Sequence, residues 1–101
     1  MKYLVTGSAG FIGYHLVKSL LRDNKNFVFA IDKKRLNLKH KNLKVITKNI
    51  NNLKKFPKVD MVFHLAAFNG TKYFYTKPFN VIDQNILSTL KLVKYYKDKK
   101  L

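Results

Sequence analysis

The apolar residues of this chain form short runs, separated by segments in which they recur every three or four positions. The short runs are rich in branched and aromatic residues, which predicts four β-strands at Lys2–Thr6, Phe27–Ile31, Leu43–Ile46 and Met61–Leu65. The segment from Phe11 to Arg22 has helical spacing and predicts a first helix, which Asp23 and Asn24 close. Between Lys48 and Pro57 there is room for only one or two helical turns.

A second helix is predicted from about Phe79 to Lys97, because Pro78 is tolerated in a first helical turn. Its apolar residues cover close to half of its circumference: Val81, Ile82, Ile86, Leu90, Leu92, Val93 and Tyr96. A helix lying on one sheet needs a narrower apolar stripe. We therefore expect a second surface to cover part of this helix.

The alternation of strands and helices predicts an α/β fold with a parallel sheet, because parallel strands need crossover connections. Right-handed crossovers place the strands in the order 3-2-1-4, with helices flanking the sheet. We treat residues 1–101 as one small domain, since 101 residues suffice for a single core.

Composition excludes several kinds of chemistry. Cysteine is absent, which rules out disulfides, thiolate metal sites and cysteine nucleophiles within this sequence. Hydrophobic residues make up 47% of the chain, but no long uncharged apolar run could cross a bilayer or form the core of a signal peptide. We expect a cytoplasmic protein without membrane contact.

The formal net charge of +16 raises the question of a nucleic-acid or acidic membrane partner. The lysines do not form a known nucleic-acid-binding pattern; they are scattered, as Lys39, Lys41, Lys44, Lys48, Lys54, Lys55 and Lys58. They accompany many Asn, Ile, Phe and Tyr residues, a mixture typical of A+T-biased coding. We expect nucleic acid to bind nonspecifically and at low salt, rather than as the function.

A glycine-rich turn between the first strand and the first helix is the strongest chemical signal, and it reads Thr6-Gly7-Ser8-Ala9-Gly10-Phe11-Ile12-Gly13. Gly7 permits a tight turn, Gly10 lets the backbone approach a diphosphate, and Gly13 lets the helix pack closely. The N–H groups at the helix start favour an anion there. A turn without any ligand would contain the same residues, so the flanking strand and helix carry the prediction.

Asp32 follows the second strand, where a carboxylate that binds ribose hydroxyls belongs. Its negative charge would repel a 2′-phosphate, which favours NAD over NADP. The cations of Lys33, Lys34 and Arg35 act in the opposite direction, because they could hold such a phosphate. An ordinary loop carboxylate paired with a neighbouring lysine is the alternative role for Asp32.

Three motifs in order resemble the extended short-chain dehydrogenase/reductase family, the NAD-dependent epimerases and dehydratases of nucleotide sugars. The glycine turn fits TGxxGxxG with Phe-Ile before the last glycine, and residues 60–67 fit DxVxHLAA. The third motif is similar to PxxxxxxNxxGTxxLL and comprises Pro78, Asn85, Thr89, Leu90 and Leu92, with Ser88 where the family usually has Gly. The resemblance spans the chain and implies a Rossmann-type domain.

The resemblance also implies site residues. It places the diphosphate contacts at the glycine turn and the ribose contacts at Asp32. The segment after strand four would pass beside the ribose and nicotinamide side of the cofactor. Asn49-Ile50 replaces the family's Asp-Ile pair, and Asn49 can still offer a carbonyl oxygen to the adenine amino group. The candidate cofactor contacts are Gly7, Ala9, Gly10, Phe11, Ile12, Gly13, Asp32, Lys33, Asn49, Ile50, Leu65, Ala66 and Ala67.

Catalysis in the family resembles proton transfer by a Tyr-x-x-x-Lys pair with a Ser or Thr, while nicotinamide takes and returns hydride. Those residues follow a fifth strand, and this sequence ends before it, so we expect a truncated NAD-binding domain that is inactive alone. Three pairs have the right spacing at the wrong place: Tyr73 with Lys77, Tyr95 with Lys99, and Tyr96 with Lys100. We expect His64, at the end of a buried strand, to be a packed, hydrogen-bonded residue rather than a catalyst, and Asn69-Gly70-Thr71 to be a polar turn or a sugar-nucleotide contact.

A fourth strand without a neighbour would leave a bare sheet edge. Together with the wide apolar face of the second helix, it predicts a homodimer through either surface. Two other functions are compatible with the same sequence. One is a non-catalytic nucleotide-binding or assembly module, and the other is a basic nucleic-acid-binding protein built on the same scaffold.

Overall fold

A computed structural model of the chain describes residues 1–66, the helix at 78–96 with its side chains from residue 86 onward, and residues 97 and 99. The strands are β1 (Lys2–Thr6), β2 (Phe27–Asp32), β3 (Leu43–Thr47) and β4 (Met61–His64). The helices are α1 (Phe11–Leu20) and α2 (Pro78–Tyr96), and one turn of 3-10 helix lies at Ile50–Asn52.

The strands form one parallel sheet in the order β3-β2-β1-β4, which confirms the predicted topology. β1 lies in the centre and pairs with β2 on one side and β4 on the other, so that Thr6 stands opposite both Ile31 and His64. Parallel strands end at the same edge of a sheet. The residues that follow β1, β2, β3 and β4 are therefore neighbours at this carboxyl edge.

Side chains alternate across the sheet and form two separate cores. Leu4 and Ile31 point to one face, where they pack with residues of α2 and of the segment before β4. Val5 and Ala30 point to the opposite face, where they pack with Val17 of α1 and its neighbours. The fold is therefore a three-layer arrangement with α1 and α2 on opposite faces of the sheet.

α1 ends two residues earlier than the apolar spacing predicts. The side-chain amide of Asn26 donates to the carbonyl of Leu20 at 2.9 Å and takes a position that another helical turn would use. Asp23 forms the next turn by accepting the N–H of Lys25. The segment between Lys48 and Pro57 contains only the short 3-10 turn, in agreement with the limited room there.

α2 is fixed to the chain segment before β4 by polar contacts from one side of the helix. The hydroxyls of Tyr95 and Tyr96 donate to the carbonyls of Phe56 and Pro57 at 2.8 and 2.6 Å. Because Pro57 precedes β4, these contacts hold the carboxyl end of α2 at the amino edge of the sheet, opposite the glycine turn.

The outer face of α2 is apolar and exposed. Between 45% and 58% of the surface of four apolar residues is exposed: Ile86, Leu87, Leu90 and Val93. Leu92 and Tyr96, in contrast, are buried against the sheet. The expected excess of apolar surface is thus present in the half of the helix whose side chains are described; Val81 and Ile82 lie outside it. No helix in the described ranges is both long and apolar enough to span a membrane.

Candidate functional site

The glycine turn leaves β1 through a left-handed residue. Gly7 has φ of +71°, and the N–H of Gly7 donates to the carbonyl of Ile31 at 2.9 Å. A side chain is disfavoured at this φ, and a Cβ would also lie 2.6 Å from the carbonyl carbon of Leu65. Glycine is therefore required here both by the backbone conformation and by the close passage of the chain after β4.

The two later glycines have different surroundings. A Cβ on Gly13 would overlap the carbonyl oxygen of Gly7 and lie 2.9 Å from the Cα of Ser8, so Gly13 lets α1 approach the turn itself. A Cβ on Gly10 would meet only the carbonyl oxygen of Gly7, at 3.3 Å. Packing within the described chain thus demands glycine at position 13, but leaves the space beside Gly10 open.

α1 starts directly at the carboxyl edge with its backbone amides uncovered. Gly10 is the N-cap residue, no side chain caps this end, and no acidic residue lies in the first turn. Phe11 and Ile12 are 82% and 68% exposed although both are large and apolar. The first amides of a helix have no intrahelical acceptors and carry partial positive charge, so this end favours an anion.

Asp32, the last residue of β2, is half-buried and bridges to the glycine turn. One carboxylate oxygen accepts the N–H of Ala9 at 2.9 Å, and the other accepts the N–H of Lys34 at 2.9 Å. Lys33, which lies between Asp32 and Lys34 in the sequence, is exposed. A carboxylate has about four lone-pair positions, so two backbone hydrogen bonds leave acceptor capacity for hydroxyl donors.

The end of β3 lies beside Asp32, because the N–H of Lys48 donates to the Asp32 carbonyl at 2.9 Å. The side-chain oxygen of Asn49 accepts the N–H of Asn51 at 3.0 Å and caps the 3-10 turn. The oxygen expected to face an adenine amino group therefore already has one donor. Ile50 is buried in the core on the α2 side, so contact with a cofactor would have to involve its backbone.

The end of β4 lies against the glycine turn. The N–H groups of Leu65 and Ala66 donate to the carbonyl and the side-chain hydroxyl of Thr6 at 3.1 Å each. The backbone of Leu65 also forms the wall next to Gly7. The structure thus brings together the glycine turn, Asp32 and the start of the segment after β4 at one edge, as the sequence predicts; Ala67 lies outside the described residues.

Thr6, His64 and Ser88 form a hydrogen-bonded cluster in which His64 is half-buried. The sequence predicts a packed, hydrogen-bonded His64, but it does not identify Thr6 and Ser88 as its partners. The Thr6 hydroxyl lies 2.6 Å from Nδ1 of His64, and the Ser88 hydroxyl lies 3.3 Å from Nε2. Thr6 and Ser88 are 0% and 3% exposed, and burial lowers the pKa of His64 below its ordinary value. The sequence feature that could have pointed to this cluster is Ser88, because the family that the sequence resembles usually has Gly at this position.

Where the structure describes them, the tyrosines and lysines with Tyr-x-x-x-Lys spacing do not lie at the carboxyl edge of the sheet. Lys99 lies over the ring of Tyr95 at 4.0 Å, and the Tyr95 hydroxyl donates to Phe56 at the amino edge of the sheet. Tyr73, Lys77, Lys100 and the Asn69-Gly70-Thr71 segment lie outside the described residues.

A cavity of about 180 Å³ lies between β4 and α2, away from the glycine turn. Its described lining residues are mostly apolar and include the imidazole of His64: Val62, His64, Thr89, Leu92, Val93 and Tyr96. None of the described lining residues is a carboxylate, in contrast to the edge at the glycine turn, where Asp32 lies. No group of three or more metal-ligating side chains occurs in the described part of the chain.

The NAD dependent epimerase/dehydratase family model matches residues 3–101. The chain is 34% identical to UDP-glucuronic acid decarboxylase 6 of Arabidopsis thaliana, over 92% of this chain and 29% of that protein. UDP-glucuronic acid 4-epimerase from Bacillus cereus, in complex with UDP-glucuronic acid and NAD, has a TM-score of 0.87 at 32% identity, over 100% of this chain and 38% of that one.

WbmF of Bordetella bronchiseptica, in complex with NAD+, has a TM-score of 0.86 at 30% identity, over 98% of this chain and 33% of that one. The chain therefore spans between 29% and 38% of the length of these three proteins. The sequence match extends over nearly all of the chain, and the structural likeness accompanies it. This chain belongs to the NAD-dependent epimerase/dehydratase family.

Proposed function

We propose that the chain binds NAD at the carboxyl edge of its sheet, as the cofactor-binding part of an enzyme that epimerises or dehydrates a nucleotide sugar. The observation that carries the proposal is the hydrogen bond from Ala9 to Asp32 at 2.9 Å, which joins the anion-favouring turn to a carboxylate. A dinucleotide needs these two kinds of group side by side, one for its diphosphate and one for its ribose.

The diphosphate would lie at the uncovered amides of Phe11 and Ile12, beside the open space at Gly10. The adenosine ribose would donate its hydroxyls to the remaining lone pairs of Asp32. The backbone of Leu65 and Ala66 would border the nicotinamide side, with Ala67 following. When bound, NAD supplies a hydride acceptor, and the role of these residues is to bind and orient it.

NAD is favoured over NADP because a 2′-phosphate would face the negative charge of Asp32. Both oxygens of that carboxylate are held by backbone amides, which fixes the charge next to the ribose position. Three exposed cations follow Asp32 directly: Lys33, Lys34 and Arg35. Their positive charges reduce the preference for NAD over NADP but do not reverse it.

The substrate class is proposed from the relatives, which include a UDP-glucuronic acid decarboxylase and a UDP-glucuronic acid 4-epimerase. We place the proton-transfer residues and the sugar pocket outside residues 1–101. No described tyrosine and lysine pair stands at the cofactor edge. We accordingly expect these 101 residues alone to bind NAD without converting a nucleotide sugar.

Calorimetric titration of the folded chain with NAD, NADP and ADP-ribose tests the proposal. We expect NAD to bind more tightly than NADP, with an affinity that changes only modestly between low and physiological salt. Gly10→Val should abolish binding, and Ser19→Val, on the exposed side of α1, should not. Equal NAD affinity in both variants would contradict the assigned site. A steep loss of NAD affinity with added salt would indicate nonspecific attraction to the basic surface.

We further propose that two copies associate through the outer face of α2. Leu90 and Val93 are large, apolar and about half exposed, and Ile86 lies one turn before Leu90 on the same side. Sedimentation at several concentrations should show a dimer that Leu90→Glu dissociates and Ser19→Glu does not. A monomer at all concentrations would contradict this proposal, and a dimer unaffected by Leu90→Glu would indicate the free edge of β4.

A further inference from the structure

The outermost strand on one side of the sheet, β3, is bordered by cations at both of its ends. In the described part of the sheet β3 pairs with β2 alone. Lys41 lies just before β3, Lys44 within it, and Lys48 just after it, where its N–H donates to the Asp32 carbonyl at 2.9 Å. We call this surface the basic rim, and we define it by six exposed cations: Lys34, Arg35, Lys39, Lys41, Lys44 and Lys48.

The basic rim contains no acidic residue that could balance its charge. Residues 33–59 include neither Asp nor Glu, within a chain whose formal net charge is +16. The carboxylates that flank this range in the sequence, Asp32 and Asp60, both accept backbone N–H groups. Like charges gathered on one surface repel one another, and an external polyanion relieves that repulsion. The rim therefore favours a partner with many negative charges.

The spacing of the rim suits a row of phosphates. An extended strand rises about 3.3 Å per residue, so about 13 Å separates Lys44 from Lys48, and the row that starts at Lys41 is roughly 20 Å long. A nucleic-acid duplex carries one phosphate charge for about every 1.7 Å of its axis, which gives about 12 charges along the row. Several lysines of the rim can therefore lie near the phosphates of one duplex at the same time.

The apolar side chains near the rim are turned away from solvent. Leu43 and Val45 of β3 pack in one core and Ile46 packs in the other, and no large apolar residue in the range 33–58 is exposed. A protein interface is centred on exposed apolar and aromatic residues, and peripheral membrane helices insert such residues between the lipids. The rim offers neither kind of partner an apolar anchor, so its chemistry is that of a phosphate-binding surface.

The rim also lacks the groups that recognise bases. Single strands bind by stacking their bases on exposed aromatic rings, whereas His40 is half-buried and Phe56 is buried. Five of the six rim cations are lysines, whose ammonium groups bind phosphates as point charges. Contacts of this kind position a protein on a duplex but carry no sequence information.

We propose that the basic rim binds the phosphate backbone of duplex nucleic acid without sequence preference, as a second binding surface beside the NAD edge. These cations are scattered along the sequence, but β3 and the end of β2 bring them to one side of the sheet. Gathered in this way, they should hold a duplex at physiological salt as well as at low salt. The inference does not depend on NAD binding, because it rests on the charge and exposure of the rim alone.

Fluorescence anisotropy of the full chain with labelled duplex DNA and duplex RNA tests the proposal over a range of salt concentrations. We expect dissociation constants between about 1 and 100 µM at physiological salt, the range of sequence-independent binding, with no change when the base sequence is scrambled. The triple variant Lys41→Gln, Lys44→Gln and Lys48→Gln should bind at least about tenfold more weakly. It should also reduce the slope of log affinity against log salt by about 2–3, since each lost phosphate contact removes about 0.9.

A charge-matched control removes three exposed lysines outside the rim, by Lys2→Gln, Lys18→Gln and Lys58→Gln. It should change the slope by less than about 1, and arginine at the three rim positions should preserve wild-type binding. Circular dichroism verifies that each variant is folded. Equal losses in the two glutamine variants would overturn the proposal, because net charge alone would then explain the binding. It would also be overturned by a wild-type dissociation constant above about 1 mM at physiological salt, or by tighter binding to single strands or to phosphatidylserine vesicles than to either duplex.

Discussion

The glycine turn offers a sharp test, because two of its glycines should fail in different ways when replaced by alanine. In Gly13→Ala, the new methyl overlaps the Gly7 carbonyl oxygen and lies 2.9 Å from two further backbone atoms, of Gly7 and Ser8. Backbone atoms cannot rotate away as a side chain can, so α1 must move. In Gly10→Ala, the methyl has a single neighbour at 3.3 Å, and the residue keeps an ordinary extended conformation with φ of −75°.

The magnitudes follow from these surroundings. Forced overlap in a packed region costs up to about 3 kcal/mol, and the better helix propensity of alanine returns about 1, which leaves Gly13→Ala destabilised by about 2 kcal/mol. For a domain of this size, that lowers Tm by about 8–16 °C. In Gly10→Ala, the less favourable N-cap and the stiffer unfolded chain nearly cancel, so Tm should change by less than about 4 °C.

Ligand binding should show a different pattern. The methyl of Gly10→Ala enters the open space beside the helix start, where the diphosphate would lie, and should weaken NAD binding at least about tenfold, or 1.4 kcal/mol. Thermal unfolding monitored by circular dichroism and calorimetric titration measure the two effects separately. The reasoning is refuted if Gly10→Ala binds NAD as the wild type does, or if Gly13→Ala unfolds at the wild-type temperature.

The other predictions concern Asp32, Tyr96 and His64. Asp32→Asn replaces a carboxylate that accepts two backbone amides with a group that has one acceptor oxygen, so it should lower stability by about 1–2 kcal/mol in chemical denaturation and reduce the preference for NAD over NADP in the same titrations. Tyr96→Phe leaves the Pro57 carbonyl without its 2.6 Å donor and should lower the free energy of unfolding by about 1 kcal/mol, whereas Tyr3→Phe should have little effect. Burial, with a contribution from Tyr95, raises the pKa of Tyr96 to about 12, so in ultraviolet titration one tyrosine should ionise later than a free phenol. Burial lowers the pKa of His64 below 6.5, so the folded state binds fewer protons than the unfolded state as acid is added. The free energy of unfolding should therefore decrease as pH falls below about 6.5 and through the folded-state pKa, and a profile that stays flat in wild type would contradict this.

Local pattern and handedness were sufficient to predict the sheet. The strands have compact apolar runs, and the order 3-2-1-4 follows from right-handed crossovers once helices separate the strands. The end of α1 was less predictable. It depends on the side chain of Asn26 reaching back to Leu20, a contact that the apolar spacing does not encode.

The site was predictable only where a backbone requirement appears in the sequence. Gly7 has a positive φ, and a Cβ on Gly13 would overlap backbone atoms, so both positions require glycine. This requirement can be read from the sequence as a glycine motif. The contact of Asp32 with Ala9 and the chain through Thr6, His64 and Ser88 join residues that lie 23 or more positions apart. Such contacts exist only after the sheet has formed, and one sequence carries no periodicity that marks them.

The central claim is that the amides opening α1 and the carboxylate of Asp32 bind one NAD molecule together. A titration with NAD, followed by two-dimensional proton–nitrogen NMR of the folded chain, tests it residue by residue. We predict saturable shifts at the amides of residues 9–13, 33–34, 49–50 and 65–66, which persist at physiological salt. Shifts that spread instead over the lysine-rich surface and vanish with added salt, or none at these amides, would contradict it.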